Sequence, residues 1–153
     1  MYRLNFAKLT STTILLCLTT AAASVQAHTA GGPIDSNSNN ASSTELAFIS
    51  CYDDGNGPAD SLFVQIEDLS PPVPGLLLSV QLRKQNQMTN TTDQTSADGK
   101  ASAAAVLKGG NGDYFVSITK TAAGIRNFQI NYHCETATRA HTGTELGGIL
   151  QIQ

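Results

Sequence analysis

Apolar and polar residues alternate along several stretches of the chain, and this period of two is the feature that most restricts its fold. It is clearest in residues 76–83, 114–119 and 128–134. An extended strand places successive side chains on opposite faces, so the pattern predicts β-strands with one buried face. After residue 27 no stretch shows a sustained helical period. The sequence therefore predicts an all-β domain.

Turn-forming residues separate these stretches. Asp98-Gly99 and the glycine-rich residues 109–113 are predicted as two hairpin turns, and residues 70–75 hold three prolines that cannot join a paired ladder. The predicted strands are residues 45–52, 61–67, 76–83, 101–107, 114–119, 128–134 and 145–153, with residues 88–92 as an exposed edge strand or a loop. The last strand is predicted to pair beside the first. Short strands at this spacing indicate an antiparallel β-sandwich.

Part of this pattern is shared with a known group of domains. Residues 95–100 read Thr-Ser-Ala-Asp-Gly-Lys, and residues 112–118 read Gly-Asp-Tyr-Phe-Val-Ser-Ile. They resemble the carboxypeptidase regulatory-like or transthyretin-like β-sandwich domains, including bacterial Ig-like modules, with their Thr-x-x-Asp-Gly-x turn and Gly-x-Tyr-x-Val-x-Ile strand. The resemblance implies an Ig-like or transthyretin-like sandwich of about seven or eight strands. It implies an architecture rather than a function.

Residues 1–27 have the three parts of a secretory signal peptide. Arg3 and Lys8 form a basic start, an apolar stretch follows, and small residues precede a cleavage site after Ala27. Threonines interrupt the apolar stretch too often for a membrane anchor, which needs about 20 predominantly apolar residues. We therefore expect a secreted or periplasmic protein that does not insert into a membrane once the signal is removed. Bacterial and eukaryotic export routes both remain open.

Cleavage after Ala27 makes His28 the new N-terminus. Residues 28–44 are rich in Gly, Ser and Asn and have little to bury, so they are predicted to form a flexible N-terminal tail. The β-sandwich domain is expected to span residues 45–153.

Removal of the signal also removes Cys17 and leaves Cys51 and Cys134. In an exported protein, two remaining cysteines are best explained by one disulfide. A metal pair and a catalytic thiol are the alternatives. Neither cysteine lies in a Cys-x-x-Cys motif.

Charge excludes some partners. The chain has 9 basic and 12 acidic residues, and loss of Arg3 and Lys8 leaves 7 against 12, a net charge of −5. Phosphate-backbone binding needs concentrated positive charge, and the sequence has no Lys/Arg cluster. We therefore expect neither nucleic acid nor an anionic membrane surface as a partner.

The leading functional interpretation is a non-enzymatic binding or scaffold protein of unknown ligand. The sequence has no nucleophile elbow, zinc-protease motif, phosphate loop or dinucleotide fingerprint, which disfavours a small secreted enzyme. The alternative is a periplasmic copper-binding protein. His28 would supply its α-amino group and ring, and His133 or His141 a further nitrogen; such ligands suit Cu(II). Against this, the pattern predicts that His133 faces solvent and that nothing holds His28 in place.

Overall fold

The computed structural model describes residues 27–153, so the predicted signal peptide lies outside the described residues except for Ala27. The described chain is all-β and antiparallel, and within it no helix could cross a membrane. Its nine strands are β1 (His28–Ile34), β2 (Thr44–Tyr52), β3 (Ser61–Asp68), β4 (Leu78–Lys84), β5 (Gln87–Asp93), β6 (Ala105–Lys108), β7 (Gly112–Lys120), β8 (Arg126–Glu135) and β9 (His141–Gln151).

The strands form two layers that share β9. A four-stranded sheet has the order β1-β8-β3-β6, and a five-stranded sheet has the order β5-β4-β7-β2-β9. The start of β9 pairs with the end of β8, and the rest of β9 runs beside β2. The predicted pairing of the last strand with β2 is thus confirmed, and the arrangement is a nearly closed sandwich.

The core lies between the two sheets and is made by the inward-facing residues of the alternating strands. Burial alternates along β3, β4, β7 and β8, as the period of two predicts. Fully or almost fully buried apolar side chains include Ile49, Leu62, Val64, Ile66, Leu78, Val80, Leu82, Tyr114 and Val116. Each such side chain stabilises the fold by about 1.5–3 kcal/mol relative to an exposed one.

Cys51 and Cys134 form the predicted disulfide, with their Cα atoms 5.7 Å apart. Cys51 belongs to β2 of the five-stranded sheet and Cys134 to β8 of the four-stranded sheet. Both side chains are buried. The bond therefore links the two layers through the core, and it is compatible with an oxidising compartment.

The prediction of a flexible tail at residues 28–44 is wrong for its first part. Residues 28–34 form β1, which pairs with β8 from His28 opposite Tyr132 to Ile34 opposite Arg126. Main-chain hydrogen bonds to an existing strand require no alternation of side chains, so the composition of the segment gave no sign of them. Gly31 permits the close approach, because a Cβ atom there would lie 2.2 Å from the carbonyl oxygen of Phe128.

Asp35 follows β1 directly and forms a buried ion pair with Lys120. Its carboxylate lies 2.7 Å from the Nζ atom of Lys120, and the side chains are 2% and 0% exposed. Lys120 also donates to the carbonyl oxygens of Asn40 and Ala122, while Asp35 accepts from the backbone amides of Asn39, Asn40 and Gly124. This buried, hydrogen-bonded pair connects the segment after β1 to the end of β7.

The two predicted hairpin turns are crossovers instead. β5 and β7 belong to the five-stranded sheet, whereas β6, among the described strands, pairs only with β3 of the other sheet. The Asp98-Gly99 turn and residues 109–113 therefore each carry the chain from one layer to the other. Asp-Gly and Gly-rich segments reverse the chain in both situations, so local sequence cannot distinguish a hairpin from a crossover.

Candidate metal centre

His133 and His141 are in contact on the outer face of the four-stranded sheet. Their ring centroids are 4.1 Å apart and the rings are inclined by 25°. His141 of β9 pairs with Glu135 of β8, and His133 lies two residues before Glu135 on the same face. Side chains at this spacing are diagonal neighbours across two strands. The register of the β8–β9 pair therefore brings the two histidines together.

The ring of Phe63 covers the other side of His133. The two residues are paired across β3 and β8, with ring centroids 4.5 Å apart and an inclination of 16°. Phe63, His133 and His141 thus form a stack of three rings. His133 lies on the outward face, as predicted, but its neighbours leave its side chain only 12% exposed.

Glu135 sets the hydrogen bonding of His133. The Nε2 atom of His133 lies 2.9 Å from the Oε1 atom of Glu135. A carboxylate can only accept, so Nε2 carries the hydrogen and, in the neutral ring, the lone pair is on Nδ1. Sequence reasoning missed Glu135, although its position two residues after His133 in an alternating strand places both on one face.

Two imidazole nitrogens in this stack have no hydrogen-bond partner. In residues 27–153, the buried side-chain polar atoms without one are His133 Nδ1, His141 Nε2 and Arg126 Nε. Arg126 Nε faces a carboxylate oxygen of Asp68 at 3.3 Å, whereas no such contact accompanies the two imidazole nitrogens. Leaving a buried polar atom unsatisfied costs about 1–3 kcal/mol. Two such atoms on adjacent rings therefore mark a place where a ligand would be stabilised.

The surroundings of His141 favour its neutral form. Burial lowers the pKa of His141 below its ordinary value of 6.5, and the electrostatic interactions with His133 and His28 lower it further, against the opposite effect of Glu135. A metal ion binds the neutral imidazole, because a protonated ring has no free lone pair.

His28 lies at the start of β1, and its pairing with Tyr132 puts its ring on the same face of β8 as the buried Tyr132, the face opposite to that of His133 and His141. β1 and β9 use the same edge of β8: β1 pairs as far as Tyr132, and β9 begins its pairing at Cys134. His28 therefore lies where one strand gives way to the other. Its ring stacks on Tyr132 with centroids 5.6 Å apart.

The structure thus brings two of the three predicted histidines, His133 and His141, together and places the side chain of His28 on the other face of β8. The rings of His133 and His141 are in contact, whereas the ring of His28 packs on Tyr132. Within residues 27–153, no group of three or more His, Cys, Asp or Glu side chains is arranged to hold a metal ion. As they lie, the described side chains offer an adjacent pair of imidazoles, and the part of His28 that is not committed to the other face of β8 is its backbone nitrogen.

No family model, curated protein or solved structure matches this chain. The resemblance to carboxypeptidase regulatory-like and transthyretin-like domains stays a prediction about its relatives.

Proposed function

We propose that this protein is an exported, non-enzymatic β-sandwich binding protein whose ligand is Cu(II). The ion would be bound by His133 and His141, with the α-amino group of His28 in the processed chain as a further ligand. The observation that carries the proposal is the pair of adjacent, unpartnered imidazole nitrogens, His133 Nδ1 and His141 Nε2. The absence of any catalytic motif from the sequence supports a binding role.

Export is supported by two independent features. Residues 1–27 have the pattern of a secretory signal peptide, and the disulfide between Cys51 and Cys134 suits an oxidising compartment. The proposed location is therefore the periplasm or the extracellular space.

The ligand chemistry favours copper over other divalent ions. Imidazole nitrogens bind Cu(II) more tightly than Ni(II), Co(II) or Zn(II) at a comparable site. The hydrogen bond from His133 to Glu135 has the form of a carboxylate that orients a metal-binding histidine from behind. One of the stacked rings must rotate about its side-chain bonds for both lone pairs to reach one ion, and we assign this movement to the half-buried His141, because Glu135 holds the ring of His133.

Signal cleavage after Ala27 would complete the ligand set. It would give His28 a free α-amino group next to β8, and β1 would hold that group near His133 and His141. Amine and imidazole nitrogens together suit Cu(II).

A competition titration with Cu(II) tests the proposal on protein that begins at His28. We expect His133→Gln and His141→Gln each to lower the affinity at least about tenfold, because each removes one nitrogen ligand. The matched control is Asn131→Ala, on the outward face of β8 two residues before His133, which should bind as the parent does.

A variant with one extra residue before His28 measures the contribution of the α-amino group. Circular dichroism establishes that each variant keeps its strands. Unchanged affinity in the double variant His133→Gln, His141→Gln would refute the proposed site.

A further inference from the structure

The outer face of the five-stranded sheet carries a groove of about 370 Å³ that is separate from the histidines. Its lining residues come from four strands: Leu46, Gln81, Arg83, Met88, Phe115 and Ser117. Phe115 and Met88 are 46% and 63% exposed. The solvent face of such a sheet is ordinarily polar, and exposed apolar side chains gathered on one face mark binding sites.

The strand register places these residues in two adjoining rows. In the first row, Arg83 of β4 pairs with Met88 of β5 on one side and with Phe115 of β7 on the other. In the second row, Ser117 of β7 pairs with Gln81 and with Leu46. Cross-strand partners on one face have their Cβ atoms about 4.5–5.5 Å apart. Arg83 therefore lies between Met88 and Phe115 on this face, and the adjoining row contains the amide of Gln81 and the hydroxyl of Ser117.

Arg83 has no anionic partner within the described chain. The ion pairs of residues 27–153 join Lys108 to Asp60, Lys120 to Asp35, Arg126 to Asp68 and His133 to Glu135. Asp113, on the outer face of β7, accepts a hydrogen bond from the Ser50 hydroxyl. The positive charge in the groove is thus left for an anion from outside the chain.

We propose that this groove binds a small aryl carboxylate. Its ring would pack against Phe115 and Met88, and its carboxylate would receive paired hydrogen bonds from Arg83. Planar guanidinium groups match carboxylates in this two-point manner, and aromatic rings pack favourably against phenylalanine and methionine. Gln81 and Ser117 supply further donors. The groove volume falls within the usual range of small-molecule sites, about 300–1,000 Å³.

The site is independent of copper. It lies on the opposite sheet from His133 and His141, and none of its lining residues belongs to the histidine stack. Failure of one site therefore leaves the other untouched.

An NMR titration of the ¹⁵N-labelled, metal-free protein tests the proposal with 3-phenylpropionate as the probe. Two compounds of similar size and shape, 3-phenyl-1-propanol and 3-phenylpropylamine, separate the role of the carboxylate from that of the ring. We expect amide shifts concentrated in β4, β5 and β7, with the acid binding at least about tenfold more tightly than the alcohol. The amine should bind more weakly still, because Arg83 repels it.

Two matched arginine variants decide whether Arg83 is responsible. Arg83→Gln should reduce the affinity for 3-phenylpropionate to that for the alcohol, whereas Arg139→Gln, at another exposed arginine in the β8–β9 connection, should leave it unchanged. Phe115→Ser should lower the affinity for the acid and the affinity for the alcohol by similar factors.

Equal affinity for acid and alcohol, or no loss in Arg83→Gln, would overturn the proposal. So would ligand-free amide shifts of β4 and β7 that grow with protein concentration, since a second copy of the chain would then occupy the groove.

Discussion

Glu135 is the residue that decides which nitrogen of His133 is free. Its carboxylate accepts from Nε2 at 2.9 Å and so directs the Nδ1 lone pair towards the proposed ion. Without this contact the ring can flip and offer either nitrogen. The carboxylate thus positions the ligand without binding the metal itself.

This role predicts a difference between two substitutions of Glu135. Glu135→Ala should lower Cu(II) affinity about tenfold, because loss of an outer hydrogen-bond partner costs roughly 10- to 100-fold in metal affinity. Glu135→Gln keeps an acceptor oxygen and should retain most of the affinity. Competition titration measures both. Equal losses in the two variants would show that the charge of Glu135, rather than its hydrogen bond, matters.

The lowered pKa of His141 predicts how stability depends on pH. Since its pKa lies below 6.5 in the folded protein and near 6.5 in the unfolded chain, the unfolded chain takes up a proton first as the pH falls. The contribution of His141 to the free energy of unfolding is therefore fully present above about pH 6.5, and it decreases as the pH falls from there towards the pKa of the folded protein. The titratable groups whose electrostatic interaction changes the pKa of His141 are His133, Glu135 and His28.

Urea unfolding of the metal-free protein at several pH values checks this. In the parent protein the free energy of unfolding should begin to fall just below pH 6.5. In His141→Gln this part of the decrease should be absent. An identical pH dependence in parent and variant would contradict the assignment.

The buried pair of Asp35 and Lys120 makes a second residue-scale prediction. Burial alone would raise the pKa of Asp35, but hydrogen bonds from Lys120 and from backbone amides outweigh it and hold the pKa well below its ordinary value. Lys120→Met would leave this carboxylate buried without its counter-ion, and we expect a Tm lower by about ten degrees or more. Lys108→Met is the control, since Lys108 is 78% exposed and its pair with Asp60 should matter little.

At the scale of elements, β1 is held by a close approach to β8 that only glycine allows. A Cβ atom at Gly31 would meet the carbonyl oxygen of Phe128 at 2.2 Å, whereas one at Gly32 would meet nothing within 4 Å. Gly31→Val should therefore separate β1 from β8 and destabilise the protein by about 2 kcal/mol or more. Gly32→Val should be nearly neutral.

Two further measurements, hydrogen exchange of the β1 amides and Cu(II) affinity, test whether Gly31→Val separates β1 from β8. If β1 delivers His28 to the histidine pair, Gly31→Val should weaken copper binding and Gly32→Val should not. Normal protection of β1 in Gly31→Val would contradict the packing described for this strand.

The elements that sequence predicts best are those whose side chains alternate. The predicted strands at residues 61–67, 114–119 and 128–134 agree with β3, β7 and β8 to within two residues at each end. β1 was not predicted, because its pairing depends on backbone groups and on Gly31 rather than on a pattern of apolar side chains. The two crossover turns were mistaken for hairpins because turn residues say nothing about which strand becomes the next neighbour.

At the scale of the whole molecule, the disulfide joins the two sheets and closes a long loop. Cys51 and Cys134 are 83 residues apart in sequence. In the chain-entropy treatment, a bridge of this span contributes roughly 4 kcal/mol by restricting the unfolded chain. Urea unfolding with and without reductant should show a loss approaching that size, together with a larger exposed surface in the reduced unfolded state. A reduced protein of unchanged stability would contradict the prediction.

The candidate site is a product of the whole fold, and sequence reveals it only in part. His133, Glu135 and His141 come together through the local pairing of β8 with β9, which an alternating pattern could suggest. Phe63 reaches His133 from a distant part of the chain through the pairing of β3 with β8, and the backbone of His28 reaches the neighbouring Tyr132 through the pairing of β1 with β8. Long-range pairing of this kind leaves no local trace in the sequence.

Electron paramagnetic resonance of the Cu(II) complex tests the central claim most directly. The protein should begin at His28, with one equivalent of Cu(II) added. Pulsed spectra should show nitrogen couplings from at least two imidazole rings, and His133→Gln and His141→Gln should each remove one of them. A spectrum of Cu(II) with no coupled imidazole, or one that neither substitution alters, would show that this pair of histidines is not a copper site.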